Sequence, residues 1–176
     1  MRKLLILGAI LSLFGCVEEP EPPVVVSYQE QLAIDVELID NYLSSNGLQA
    51  EQTTSGLRYI IHEEGSGEVA KARQKVKVDY TGSLLNGNIF DTSYKDIAVQ
   101  NNIYDSRREP YGPIQFTLGI GQVISGWDEG ISLLNEGTKA TLYIPSGLGY
   151  GRSAVSASIP ANSILIFEVD LVEIVQ

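Results

Sequence analysis

Two periods of apolar residues organise the chain beyond its first 26 positions. Tyr28, Leu32, Val36, Ile39 and Leu43 recur every three or four residues, which is the spacing of one helical face. Ser27 and Glu30 form a capping-box pattern at the start, and Gly47 stands where a C-terminal cap belongs. The pattern predicts an amphipathic helix over 28–46. Its apolar face needs a partner, either the residues that follow or a second copy of the chain. After Gly56 the period falls to two. Leu57, Tyr59 and Ile61 alternate with Arg58, Ile60 and His62, and Val76, Val78 and Tyr80 alternate with Lys75, Lys77 and Asp79. These are half-buried strands. Ile114–Leu118, Ala140–Ile144 and Ile164–Ile174 are further strand candidates. A short helix starts near Trp127 and continues through Ile131-Ser132-Leu133-Leu134. Residues 92–113 have weak periodicity and read as one long loop carrying Tyr94, Tyr104 and Tyr111. Loops of that length are often functional. The tyrosines either pack the loop or meet a partner. Residues 56–176 are therefore mostly antiparallel strands with one short helix, an α+β pattern.

The first residues change the picture of where the chain works. Met1-Arg2-Lys3 is a basic start, and the apolar run Leu4–Phe14 is too short to span a bilayer. It ends at Gly15-Cys16, and Cys16 is the only cysteine. A small residue before a cysteine at this place resembles the lipobox of bacterial lipoproteins. The resemblance implies cleavage after Gly15, lipid on Cys16, and attachment to the cell envelope, at the outer membrane, through the acyl chains alone. A plain secretory signal with an incidental cysteine is the other reading. Residues 16–26, rich in Pro and Glu, read as an extended tether. The expected organisation is a signal peptide at 1–15, the tether at 16–26, a helical extension at 27–55 and a folded domain at 56–176.

Charge and composition remove several classes of function. The chain carries 12 basic and 22 acidic residues, a net charge of −10, which argues against a nucleic-acid partner. One cysteine and one histidine, His62, allow no intrachain disulfide and no metal constellation. His62 reads as a surface or edge residue of its strand.

The stretch with the most candidate chemistry is Gly119-Ile120-Gly121-Gln122-Val123-Ile124-Ser125-Gly126-Trp127-Asp128-Glu129-Gly130. It holds the only tryptophan, set between glycines. Such an indole is either ordinary core or a surface on which something rests.

Five short motifs occur in order. They are Val78-Asp79-Tyr80-Thr81-Gly82; Phe90-Asp91; Val123 through Gly130; Ile144-Pro145-Ser146 with Tyr150-Gly151; and Ile159-Pro160 with Leu165-Ile166-Phe167-Glu168-Val169. Together they resemble the FKBP-type peptidyl-prolyl isomerases over roughly residues 56–176. The resemblance implies a strongly curved antiparallel sheet wrapped around one short helix, with a hydrophobic pocket between them. It implies catalytic roles for Tyr80, Phe90, Asp91, Trp127, Tyr150 and Phe167, and substrate-binding roles for Ile114, Phe116, Val123, Ile124 and Ile159. Trp127 would be the floor under a proline ring. Ile124 would offer its backbone N–H to a substrate carbonyl, and the Tyr150 hydroxyl would donate to another. Proline-containing polypeptides are the implied substrates and macrolides the implied pocket ligands, with no cofactor and no metal.

Two features depart from the family pattern. Ile114 stands where an aromatic is usual, and the 92–113 segment is long. Residues 152–158 form a flap-like loop without a close counterpart. A non-catalytic binding or chaperone module on the same scaffold is the rival expectation.

Overall fold

The computed structural model describes residues 26–175. The expected signal peptide, Cys16 and nearly all of the tether lie outside the described residues. The chain enters through helix α1, Tyr28–Ser45. Seven strands follow: β1 (Glu51–Gln52), β2 (Arg58–Glu63), β3 (Lys75–Leu84), β4 (Ile89–Thr92), β5 (Ile114–Thr117), β6 (Lys139–Ile144) and β7 (Leu165–Val175). Helix α2 (Lys95–Gln100) lies between β4 and β5, and helix α3 (Ser125–Ile131) between β5 and β6. The strands form one antiparallel sheet in the order β1-β2-β6-β7-β3-β4, with β5 also paired to β3.

Strand β3 has two neighbours on one edge. Its first half pairs with β5, Val76 opposite Phe116, and its second half with β4, Gly82 opposite Asp91. The sheet therefore forks, and the long segment between β4 and β5 leaves from the fork. On the other edge β3 pairs with β7 along its whole length. There Lys77 faces Glu173 and Val78 faces Leu171, so Val172 is an extra residue, a bulge that sharpens the twist.

Both faces of the sheet are partly covered, for different reasons. On the concave face Val76, Val78, Leu142, Leu165, Phe167 and Leu171 close over Trp127 and Ile131 of α3. Complete burial of a Leu or Ile side chain contributes about 1.5–3 kcal/mol, so this layer is the main source of stability. The glycines flanking Trp127 explain how close the helix lies. A Cβ on Gly126 would meet Ile144 Cγ2 at 2.5 Å, and one on Gly130 would meet Leu142 Cδ1 at 2.6 Å. On the convex face Ile39 and Leu43 of α1 pack with Tyr143, Ile164 and Ile166. The partner of the amphipathic helix is thus this chain's own sheet. Arg58 is buried because its guanidinium reaches Asp40 of α1, Nε to Oδ1 at 2.9 Å and Nη2 to Oδ2 at 3.1 Å. The alternation along β2 is imperfect for the same cause, since Ile60 faces the helix.

Two expectations need correction, and two strands went unannounced by the pattern. Residues 92–113 are not one loop: they contain α2 and a 3-10 turn at Ser106–Arg108. A helix of six residues is under two turns and buries only Ala98, too little to show a period. Helix α3 ends at Ile131, and Leu133 and Leu134 leave it in tight turns, their N–H groups donating to Gly130 and Ile131. Strands β1 and β4 are shorter than the alternation needed to announce them. His62 is exposed at the surface of β2, its Nε2 2.7 Å from Thr141 Oγ1.

Candidate active site

Helix α3 and the curve of the sheet leave an open cavity of about 430 Å³ at the end of the concave face. It is lined by Tyr80, Phe90, Asp91, Ile114, Gly121, Gln122, Val123, Ile124, Trp127, Tyr150 and Phe167. Each wall comes from a different element: β3, β4, β5, the loop before α3, α3 itself, the loop after β6, and β7.

The floor is aromatic. The Trp127 indole meets Tyr80 edge-on at 5.2 Å between ring centres and Phe167 at 5.1 Å, with interplanar angles of 82° and 86°. Phe90 meets Phe167 in the same manner at 5.6 Å. Such edge-to-face pairs are favourable because the positive rim of one ring faces the negative face of the next. Each ring therefore holds its neighbour at a fixed angle. Trp127 is only 3% exposed, yet it forms part of the cavity wall, as a floor does. Its Nε1 is buried without a hydrogen-bond partner among the described residues.

The rim carries the polar groups. The Tyr80 hydroxyl donates to Asp91 Oδ2 at 2.7 Å. The Arg108 guanidinium pairs with the other carboxylate oxygen of Asp91, and its Nη2 donates to the Tyr80 hydroxyl at 3.2 Å. The backbone N–H of Thr92 donates to Asp91 Oδ1 at 2.8 Å. Burial first, then the hydrogen bond to Asp91 and its negative charge, push the Tyr80 phenol well above its ordinary pKa. Burial and the same carboxylate also raise the Tyr150 phenol. Both tyrosines are therefore neutral hydroxyls at ordinary pH.

The loop before α3 is held by the helix it precedes. Asp128 Oδ1 accepts from Gly119 N–H at 2.7 Å and Oδ2 from Gly121 N–H at 3.0 Å. This fixes Val123 and Ile124 at the mouth. The Ile124 carbonyl accepts from Trp127 N–H at 2.9 Å, while its own N–H has no acceptor among the described residues. The Tyr150 hydroxyl likewise makes no hydrogen bond among them, and its side chain stands half out of the cavity.

Nine of the expected site residues meet at this cavity; Phe116 and Ile159 do not. Phe116 is buried behind the floor, 5.7 Å from the Trp127 ring. Ile159 is buried in the core after the flap loop. Phe116 thus backs the floor, and Ile159 belongs to the same buried core. Two lining residues, Gly121 and Gln122, escaped the sequence reading, as did Arg108. Arg108 lies in a segment without period, and only the fold of 92–113 brings it to Asp91. The 152–158 loop closes on itself through the bridge between Ser156 and Ile159.

A curved antiparallel sheet wrapped on a short helix, with an aromatic cup at its open end, places the chain in an α+β class with a concave aromatic site. The family model described as FKBP-type peptidyl-prolyl cis-trans isomerase matches residues 66–172. The chain belongs to the FKBP-type peptidyl-prolyl cis–trans isomerase family. It is 39% identical over 130 residues to a probable FKBP-type peptidyl-prolyl cis-trans isomerase of Haemophilus influenzae, covering 74% of this chain and 47% of that one. It is 42% identical over 112 residues to an FK506-binding protein of Neisseria meningitidis, covering 64% of this chain and 90% of that one. The crystal structure of FkpA from Escherichia coli superposes with a TM-score of 0.62 at 31% identity, over 83% of this chain and 62% of that one. The chain spans about half the length of several of the curated relatives it matches.

Proposed function

We propose that this protein accelerates cis–trans isomerisation of Xaa–Pro bonds in exported polypeptides at the cell envelope. One observation carries the reading: the sole tryptophan is the floor of an open, mainly apolar cup bordered by Tyr80, Asp91 and Tyr150. Rotation about an Xaa–Pro bond must break amide resonance, a barrier of roughly 18–20 kcal/mol. The uncatalysed exchange takes tens of seconds or more. The planar amide is more polar than the twisted one. A dry aromatic cup disfavours the planar form more, and so lowers the barrier. The proline ring rests on Trp127, walled by Tyr80, Phe90 and Phe167. The Ile124 N–H and the Tyr150 hydroxyl, both without a hydrogen-bond partner among the described residues, take the flanking carbonyls and fix orientation. Tyr80, Asp91 and Arg108 form the rim beside the twisting carbonyl. No nucleophile, cofactor or metal enters these steps.

The proposed location rests on the basic start, the short apolar run and Cys16, a pattern that supports a lipid anchor. Macrolides that present a ring to such a cup are the expected competing ligands. The test is exchange of a proline-containing peptide by the full chain in detergent, with and without a macrolide. Catalysis that the macrolide blocks and that falls in Trp127→Ala supports the reading. A rate no faster than buffer, or full activity in Trp127→Ala, overturns it.

A second reading has one observation in its favour. The segment between β4 and β5 exposes Tyr94 and Tyr104, which suits a non-catalytic client-binding module. Suppression of aggregation that survives loss of pocket residues, but not shortening of 92–113, would favour it.

A further inference from the structure

Helix α1 lies outside the residues that match the family model, yet its first half is bonded to the loop that carries Tyr150. Asp35 is 1% exposed. Its Oδ2 accepts from the backbone N–H of Ser146 at 2.7 Å and from the Ser146 hydroxyl at 2.6 Å. Its Oδ1 accepts from Gln31 Nε2 at 2.8 Å. A buried carboxylate satisfied this way is costly to move, because any shift leaves several groups unpaired together. One residue further on, the Tyr28 ring lies over Gly147, where a Cβ would meet Tyr28 Cε2 at 2.5 Å. On the far side of Tyr150 the guanidinium of Arg152 donates to the carbonyl of Val26. Residues 26–35 thus grip the loop on both sides of Tyr150.

The loop in turn is tied to the rest of the site. Ser146–Leu148 is a 3-10 turn, and the Ser146 carbonyl accepts from Gly149 N–H at 3.0 Å and Gly151 N–H at 2.8 Å. The Leu148 carbonyl accepts from Ser125 Oγ at 3.1 Å, at the start of the helix that bears Trp127. A displacement of Ser146 is therefore passed to Tyr150 through a tight turn with little slack.

We propose that Asp35 is a positioning residue for Tyr150: the N-terminal helix sets the orientation of the phenol that meets the substrate. The inference rests on the isomerase reading above. It makes the segment between the tether and the sheet part of the active unit instead of a spacer.

The test compares the full chain with Asp35→Ala, Asp35→Asn, Tyr28→Ala and Tyr150→Phe, and with the double variant Asp35→Ala/Tyr150→Phe. Peptide exchange is measured at a temperature where thermal melts show every variant folded. Asp35→Ala is expected to lower kcat/KM by about five- to tenfold, with Asp35→Asn in between, because an amide oxygen still accepts from Ser146. Combined with Tyr150→Phe it is expected to add less than about twofold, since both changes remove the same contact. A Tyr28→Ala chain, which loses a half-exposed ring instead of a buried carboxylate, is expected to lose activity in the same direction. It keeps the test open if Asp35→Ala does not fold. Variants that melt earlier but retain full kcat/KM, or losses that multiply independently with Tyr150→Phe, overturn the positioning role. A wild-type chain without exchange activity sinks the isomerase reading itself and this inference with it. That result differs from an active wild type matched by its variants.

Discussion

The Tyr80 hydroxyl donates to Asp91 across the fork of the sheet, and Arg108 bridges both partners from the segment between β4 and β5. The rim is thus assembled from a central strand, a short strand and a 3-10 turn. The Arg108 and Asp91 side chains are 34% and 39% exposed, so water screens the ion pair and its stabilising effect is about 0.5–1 kcal/mol at most.

The larger effect of Arg108→Ala is expected on geometry. Loss of the guanidinium frees the Asp91 carboxylate to rotate about its remaining bonds. We expect kcat/KM for a proline peptide to fall by roughly three- to tenfold, with the melting temperature nearly unchanged. A double-mutant cycle with Asp91→Asn checks this; strictly additive losses would show that the two side chains act separately.

The floor allows a graded test. Trp127→Ala opens a large cavity and is expected to cost about 3–5 kcal/mol. Trp127→Phe also loses volume, but it removes a buried N–H that has no partner among the described residues. The unpaired group costs about 1–3 kcal/mol in the native protein. The Phe variant should therefore be destabilised by less than about 2 kcal/mol. Urea midpoints measure both; equal losses would contradict this account of the indole.

Close approach of α3 to β6 predicts intolerance at Gly130. Its added Cβ would sit 2.6 Å from Leu142 Cδ1 and 3.0 Å from Cδ2. Gly130→Ala is expected to cost about 1–3 kcal/mol, despite the better helix propensity of alanine. A variant with Leu142→Val added should recover part of the loss, measured by the same denaturation midpoint.

Alkaline pH should expose the Tyr80 environment. The folded protein raises this phenol above its unfolded value, so the protonated form favours folding. That contribution is complete below the unfolded pKa of about 10 and declines as pH rises from there towards the higher folded value. Urea midpoints of wild type and Tyr80→Phe between pH 8 and 11 should converge above about pH 10. Parallel curves throughout would mean that the phenol is not linked to folding.

How much of this was readable beforehand depends on length scale. The stripe of α1 and the alternation of β2 and β3 were legible because each repeats several times within one element. The ordered motifs carried the curved sheet and most of the cup, since Trp127, Tyr80 and Phe167 sit on regular elements with fixed facing. Arg108 was not legible. It lies in an unpatterned segment, and its partner is 17 residues away on a different element. Phe116 and Ile159 do not line the cavity, and the sequence could not show this because a side chain behind a wall and one on its surface share the same apolar signature.

The order of residues was enough to specify the alternation of elements, the aromatic content of the cup and the family to which the chain belongs. Those properties are local or ordered along the chain. Which apolar residues face the cavity, and which face of the sheet α1 covers, came only from three-dimensional packing. It alone joined Asp35 to Ser146 and Arg108 to Asp91. Contacts between distant residues depend on how strands fork, bulge and curve, and no periodicity within one element records that geometry.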